Sequence, residues 1–358
     1  MKIAIDISQI VYGTGVSVYT KELIKNLLKV DSENSYILFG GTLRQRGRLK
    51  EFTTSLKGNV SSKLFFIPPT LADIVWNRLH RFPIEKLLGD VDVFHSSDWT
   101  QPPTKAFKVT TIHDLTPLRF PKLTHPRIYE AHKARLAWVK KEVDRVIVPS
   151  SATREELISY GVNAERIRVI PEAHSDIFYP RGEDEVRKLR AKYNIHEKFI
   201  LSIGVGRRKN TERLIKAFQL VAGSELKLVL IGRTYGKIHE TRAVRILGHV
   251  PEEELPVFYS ASEALVYPSL YEGFGLPILE AFASGTPVVT SNLSSMQEVA
   301  GSAAILVDPY DIESIKEGIL KALRGKKGLT DKGFREVKQF SWEKTARATL
   351  EVYQEAKK

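Results

Sequence analysis

What most constrains this chain is an alternation. Short runs rich in Val and Ile recur at Ile3–Ile7, Tyr36–Phe39, Lys63–Phe66, Asp92–His95, Val109–Ile112, Arg145–Val148 and Arg168–Ile170, with helical segments between most of them. Val16–Val30 places Val16, Tyr19, Leu23 and Leu27 on one face, the period of an amphipathic helix. Arg127–Val143 is a second helix, strongly basic outside. Strands alternating with helices predict a parallel sheet covered on both sides. The pattern then breaks. Pro171 to Asp184 carries two prolines, a glycine and several charges without an apolar period, and so reads as a linker. Beyond it the alternation restarts, with strands at Phe199–Ile203, Lys227–Ile231, Val244–Leu247, Glu263–Val266, Pro287–Thr290 and Ile305–Val307. Helices are predicted at Thr211–Ala222, Glu253–Tyr259, Pro277–Ser284, Asp311–Leu323 and, after a Gly/Lys-rich stretch, Ser341–Lys358.

The expected architecture is therefore α/β, with two Rossmann-like doubly wound domains facing across a cleft. Residues 1–172 form an N-terminal, acceptor-side domain, with the C-terminal helix 341–358 packed back on it. Residues 173–340 form a C-terminal, ligand-binding domain. A length of 358 residues suits two domains. Ligands in such sheets bind beyond the carboxyl ends of the strands.

Composition narrows the chemistry. The chain has no cysteine, which removes disulfides, thiolate metal sites and cysteine nucleophiles together. No apolar run reaches the ~18 residues of a membrane span, and the first residues, MKIAIDIS, enter a strand pattern without the apolar core of a signal peptide. A cytoplasmic protein is expected, peripheral on the inner face of the membrane if it touches one. The net charge of +12 attracts anions. No RNA-recognition, zinc-finger or helix-turn-helix pattern accompanies it, so no nucleic-acid partner is expected. The remaining readings are a solvated basic surface, phosphorylated substrates or an anionic membrane. The stretch Ile74-Val-Trp-Asn-Arg-Leu-His-Arg-Phe82 mixes aromatic and basic residues. It fits contact with a membrane or a lipid-linked acceptor, and equally core packing with exposed arginines.

The densest chemistry lies in Tyr267-Pro-Ser-Leu-Tyr-Glu-Gly-Phe-Gly-Leu-Pro-Ile-Leu-Glu280. A strand ends near Tyr267. Gly273 and Gly275 let backbone amides approach a ligand closely. Pro277 suits a first helical position, and Glu280 is placed in the first turn. Such a helix start favours phosphate. Taken alone, the glutamate is equally a partner of the helix dipole. The string resembles the signature of glycosyltransferase family 4, a retaining GT-B-fold family, whose two glutamates with seven residues between them match Glu272 and Glu280. Pro287-Val-Val-Thr-Ser291, Ser294-Ser-Met-Gln-Glu-Val-Ala300 and Leu306-Val-Asp-Pro309 resemble the segments that follow it. The resemblance implies that Glu272 faces the transferred sugar, that Glu280 binds the ribose hydroxyls, and that the amides of Phe274 and Gly275 face the diphosphate.

Four further segments fall in line with it. Ser202-Ile-Gly-Val-Gly-Arg-Arg-Lys-Asn-Thr211 puts three cations beside two glycines at a helix start, where Asn210 can cap. It resembles the family's Arg and Lys pair, with Lys209 aligned, the arginine ambiguous between Arg207 and Arg208, and Arg207 favoured. The spacing departs from the family's, whose loop before the lysine is longer. Thr111-Ile-His-Asp-Leu-Thr-Pro117 ends a strand and resembles the mannosyltransferase-like branch, which assigns His113 to the transferred sugar. Val11-Tyr-Gly-Thr-Gly-Val16 is either an ordinary tight turn or, by resemblance, a loop placing Gly15 near the sugar or diphosphate. Gly248-His-Val250 is expected to pass the base with its backbone, Val250 among the donor contacts.

The implied activity is a hexosyltransferase moving mannose from GDP-mannose to a glycan or lipid-linked acceptor in cell-surface polysaccharide assembly. No metal and no separate cofactor are expected. Asp90-Val-Asp92 is not read as a metal site, because it leads straight into a strand. The alternatives are a nucleotide-sugar epimerase of the same fold and a non-catalytic nucleotide-sugar-binding module. A dinucleotide dehydrogenase is excluded by the missing Gly-x-Gly-x-x-Gly fingerprint.

Overall fold

The computed structural model describes every residue except 222, 224, 234–237 and 358. The chain divides into two compact units, Met1–Glu172 with Trp342–Lys358, and Ala173–Ser341.

The first unit is a seven-stranded sheet. Its strands are β1 (Lys2–Asp6), β2 (Ser35–Gly41), β3 (Val60–Phe65), β4 (Val93–Ser96), β5 (Phe107–Thr111), β6 (Arg145–Val148) and β7 (Ile167–Val169). They lie in the order β3-β2-β1-β4-β5-β6-β7, and each neighbouring pair is parallel. The order reverses direction between β1 and β4, where Ile3 pairs with Val93. That is the switch point at which loops from both strands diverge and leave a crevice. Helix Gly15–Val30 packs against the C-terminal helix Trp342–Gln354, with the Tyr19 and Trp342 rings 5.8 Å apart. His95 on β4 bonds Tyr353 of that helix, Nδ1 to Oη at 2.6 Å.

The second unit repeats the plan in six strands: β8 (Lys198–Ile203), β9 (Leu226–Ile231), β10 (Val244–Gly248), β11 (Leu265–Tyr267), β12 (Val288–Ser291) and β13 (Ile305–Val307), in the order β10-β9-β8-β11-β12-β13 and parallel at every pairing. Its switch point lies between β8 and β11. Successive strand residues feed opposite cores: Phe199 and Leu201 join one, Ile200 the other. Strands buried on both faces explain the near-continuous Val/Ile runs.

Several elements differ from the sequence expectation. The linker is short and docked, since Phe178 is buried in the core of the second unit and a helix starts at Glu183. The helix predicted to reach Ala222 ends at Gln219, and Ala222 lies outside the described residues. The Gly/Lys-rich stretch is helical over Lys326–Val337. Its glycines are no breakers: a Cβ on Gly333 would meet Phe282 Cδ1 at 2.7 Å, so glycine there lets two helices approach closely. Helices Arg46–Ser55 and Ser151–Ser159 had no clear apolar stripe to announce them.

Candidate active site

The switch point of the second unit is built from two loops. After β8 the chain turns through Gly204, whose φ of +84° is a left-handed conformation that suits glycine. A Cβ there would also meet Lys209 Cε at 2.7 Å, so the glycine makes room for the lysine stem. After β11 the loop 268–275 runs to Gly275, φ +114°, ahead of helix Leu276–Ala283. The loops are stitched together: Leu270 N donates to Arg208 O at 2.9 Å, and Asn210 Nδ2 donates to the carbonyls of Pro268 and Pro309 at 3.1 and 2.6 Å. Asn210 occupies the helix N-cap position, but its side chain makes no cap bond. Its amide serves the neighbouring loops instead.

This stitching brings the charges together. Lys209 Nζ lies 2.6 Å from Glu272 Oε1 and 2.5 Å from the Tyr267 hydroxyl. Arg208 Nη1 donates to Glu272 Oε2 at 2.5 Å and to the Tyr271 carbonyl at 2.9 Å. Glu272 is 8% exposed. Burial alone would push its carboxyl up, but the Lys209 and Arg208 charges outweigh that and hold it at about 2. Glu272 is also clamped through its backbone, its carbonyl accepting from the Ser294 and Ser295 hydroxyls at 3.1 and 2.8 Å. The arginine beside Lys209 is thus Arg208. Arg207, favoured from the sequence, is exposed.

Glu280 sits on helix Leu276–Ala283, beyond its first turn rather than in it. Its Oε2 accepts from the Tyr259 hydroxyl at 2.6 Å. Burial raises its carboxyl to about 7; the Tyr259 bond pulls the other way, Glu252 adds to the rise, and Lys209 opposes it. The two glutamates of the motif are thus set apart by environment, one fully ionised and one poised near neutrality. Gly273, Phe274 and Gly275 are all buried in the turn between them. Val250 follows β10 and packs in the same core as Tyr267 and Phe274. Gly248 before it adopts φ +66° and accepts from Gly232 N at 2.8 Å.

In the first unit, His113 follows β5 and is largely buried. Its Nδ1 lies 2.8 Å from Glu172 Oε1, and the Tyr19 ring meets it edge-on at 4.5 Å. Burial would lower the imidazole pKa; the Glu172 carboxylate, aided by Asp98 and Asp114, raises it above the ordinary value. That bond leaves Nε2 as the nitrogen free of Glu172. Asp114 Oδ1 accepts from Thr116 N at 2.7 Å and so shapes the following turn. Gly15 opens helix Gly15–Val30, and Thr14 N ahead of it donates to Ser17 Oγ at 3.2 Å. Asp92 Oδ2 accepts from Lys2 N at 2.7 Å, a strand-positioning role. Among the described residues no group of three or more His, Cys, Asp or Glu is arranged to hold a metal ion.

Sequence reasoning missed Asp98, Arg135 and Glu172. Arg135 is buried, with Nη1 3.2 Å from Asp98 and Nη2 2.6 Å from Thr110 Oγ1. Burial raises the Asp98 carboxyl to about 6, against the lowering effect of Arg135. Asp98 follows the end of β4 and so had a positional signal. Arg135 lay inside a helix read as merely basic, and Glu172 inside a presumed linker.

Residues 185–336 match the family described as Glycosyl transferases group 1, and residues 13–173 match Glycosyltransferase Family 4. The O-antigen chain mannosyltransferase B of Escherichia coli is 31% identical over 372 residues, spanning 95% of this chain and 96% of that protein. The chain belongs to glycosyltransferase family 4. Another relative of this glycosyltransferase is the serotype-specific mannosyltransferase WbdA of Escherichia coli, 30% identical over 276 residues that cover 68% of this chain and a third (33%) of that longer protein. Sucrose-phosphate synthase from Thermosynechococcus elongatus superposes with a TM-score of 0.72 at 19% identity, over 99% of this chain and 98% of that one. That likeness shows the fold, two parallel-sheet Rossmann-like units of the GT-B type. No helix among the described residues of the enzyme is long and apolar enough to cross a membrane.

Proposed function

We propose that the enzyme transfers mannose from GDP-mannose, with retention of anomeric configuration, to a glycan or lipid-linked acceptor in cell-surface polysaccharide assembly. The observation that carries the chemistry is the Arg208–Glu272–Lys209 cluster at the mouth of the β8/β11 switch point. Two cations and a glycine-rich helix entrance suit a diphosphate. The mannosyl reading is supported by the names of the two relatives above.

In this reading the C1–O bond to the diphosphate breaks as the acceptor oxygen bonds C1 on the same face. The acceptor proton passes to the departing phosphate oxygen, so no protein base is required. Arg208 and Lys209, with the amides of Phe274 and Gly275, offset the charge on the leaving group. Glu272 and His113 contact the sugar, Gly15 its diphosphate side, Glu280 the ribose hydroxyls, and the backbone at Val250 the base. Support for an acceptor on the first unit comes from an apolar cleft lined by Tyr12, Trp76 and Trp99 with Gln9 and Asp73, since aromatic faces suit sugar rings.

Thermal-shift screening against GDP-, UDP- and ADP-sugars tests the donor. A matched donor at 100 times its dissociation constant adds about 2.7 kcal/mol to stability, so GDP-mannose should raise the unfolding temperature most. A larger shift with another base or sugar would remove the mannosyl reading. Anomeric analysis of the transferred product tests retention. Glu280 adds a pH dependence. A carboxylate at about 7 in the free enzyme must be ionised to accept two hydroxyls, so nucleotide affinity should rise between about pH 6 and about pH 8. Glu280→Gln should weaken binding and flatten that profile; calorimetry at several pH values reads both.

A further inference from the structure

We infer that Glu172 is a positioning residue for transfer: it holds a proton on His113 Nδ1 and thereby commits Nε2 to a hydroxyl group of the transferred sugar. The role rests on the reading of His113 as a sugar contact. Two strand exits bring the pair together. Ile112 N donates to Ile147 O and Ile170 N donates to Val148 O, both at 2.9 Å, so β6 holds the ends of β5 and β7 on either side of it. His113 follows the first exit and Pro171-Glu172 the second. Pro171 has a fixed φ, and its carbonyl accepts from Thr345 Oγ1 at 2.7 Å. Thr345 belongs to helix Trp342–Gln354, which packs against the helix that bears Tyr19. Glu172 is thus buried on a backbone pinned from two directions.

The hydrogen bond has one direction. A carboxylate has no proton to give, so Nδ1 donates across the 2.8 Å to Glu172 Oε1. The bond that one ring nitrogen makes sets the state of the other. Nε2 then offers a lone pair to a sugar O–H when the ring is neutral, and an N–H to the hydroxyl oxygen when it is charged. A hydroxyl group answers either. Losing the carboxylate would release both the proton and the rotation of the ring. The surrounding charges keep the same sense. Burial pulls the imidazole pKa down, and Glu172, then Asp98 and Asp114, more than offset it. His95, held at about 3 by burial, and the Tyr19 hydroxyl, raised by burial, bring no charge near neutral pH.

Buried ion pairs are often structural only, and His95 in the same unit shows the difference. It is 3% exposed and spends both nitrogens on the protein, Nδ1 on the Tyr353 hydroxyl at 2.6 Å and Nε2 on the Thr111 hydroxyl at 2.8 Å. His113 spends only Nδ1. Among the described residues none hydrogen-bonds its Nε2, and the side chain keeps 13% exposure. A ring anchored at one nitrogen, braced edge-on by Tyr19 and open at the other nitrogen, is arranged to meet a group from outside the chain.

The test pairs nitrogen NMR of histidine-labelled, full-length free enzyme with kinetics. His113→Asn identifies the His113 signals by their loss. In wild-type enzyme the neutral His113 ring should carry its proton on Nδ1. Glu172→Gln keeps an acceptor oxygen and removes the charge, so the titration midpoint of His113 should move to lower pH with the proton still on Nδ1. Glu172→Leu should release that proton to Nε2. It should also lower kcat by about 10–100-fold, the scale for removing a partner that orients a ligating imidazole. Turnover is read as release of nucleoside diphosphate from the sugar nucleotide that shifts the unfolding temperature most. In a His113→Asn background the same leucine change should cost almost nothing more, since Glu172 acts through His113. A wild-type proton on Nε2, an unmoved midpoint in Glu172→Gln, or a full additional loss in the double variant would overturn the inference; the glutamine variant decides it even where the leucine variant does not fold. Near-normal turnover of Glu172→Leu beside an impaired His113→Asn would overturn the role of Glu172 alone. Near-normal turnover of His113→Asn would remove the sugar contact, and the role of Glu172 with it.

Discussion

Lys209→Ala is expected to lower kcat by about 10²–10³-fold while the unfolding temperature stays close to that of the parent. The magnitude follows from removing one preorganised donor to the charge that develops on a leaving group, about 2.7–4 kcal/mol at the transition state. The fold should tolerate the change because Glu272 keeps Arg208, at 2.5 Å, as its partner and keeps the two serine hydroxyls on its carbonyl. The adjacent arginines make the sharper comparison. Arg208→Ala removes the cation paired with Glu272 and should cost turnover on the same scale, whereas Arg207→Ala, at an exposed side chain, should change it less than about threefold. Steady-state kinetics with GDP-mannose and a matched acceptor separate the three. Near-normal turnover for Lys209→Ala would end the phosphate role of this loop. The opposite ranking of the arginines would restore the assignment favoured by sequence alone.

Arg135→Met should destabilise the first unit by about 3–5 kcal/mol, because it strands one half of a buried ion pair. Arg135 is 2% exposed and spends its guanidinium on Asp98, the Thr110 hydroxyl and the Thr111 carbonyl. Methionine matches its bulk but supplies no donor, so those acceptors lose their partner at a largely buried site. In a unit of this size the loss corresponds to a fall of about 10 °C or more in unfolding temperature. The effect should also depend on pH. Asp98 is protonated more readily folded than unfolded, its carboxyl standing at about 6 against about 3.9 in an unfolded chain. A raised folded value means that its stabilising contribution is present below the unfolded pKa and lost as pH climbs through the folded one. Arg135 restrains that rise, so its removal should harm the fold more at pH 8 than at pH 5. Urea unfolding at both values checks this; a variant as stable as the parent at both would show that the pair contributes nothing net.

Both predictions rest on residues that entered the picture by different routes. Lys209 and Glu272 were visible in the sequence because each lies in a short, contiguous glycine-containing string that resembles a segment of the family. Strand and helix positions were visible for the same local reason: side-chain period and burial on both sheet faces leave their mark within a dozen residues. The helix Lys326–Val337 was not, because its glycines serve packing against Phe282 rather than chain reversal, and that purpose is recorded in another part of the chain.

The sequence by itself determined the two-fold repetition of strand and helix, the switch-point loops and the identity of the motif glutamates, all properties set by near neighbours in the chain. The tertiary structure alone decided which arginine meets Glu272, that Glu272 is ionised while Glu280 stands near neutrality, and that Glu172 and Asp98 gather around His113 with Arg135 beyond them. Those outcomes depend on distance and dielectric between groups tens of residues apart, and a one-dimensional pattern carries neither.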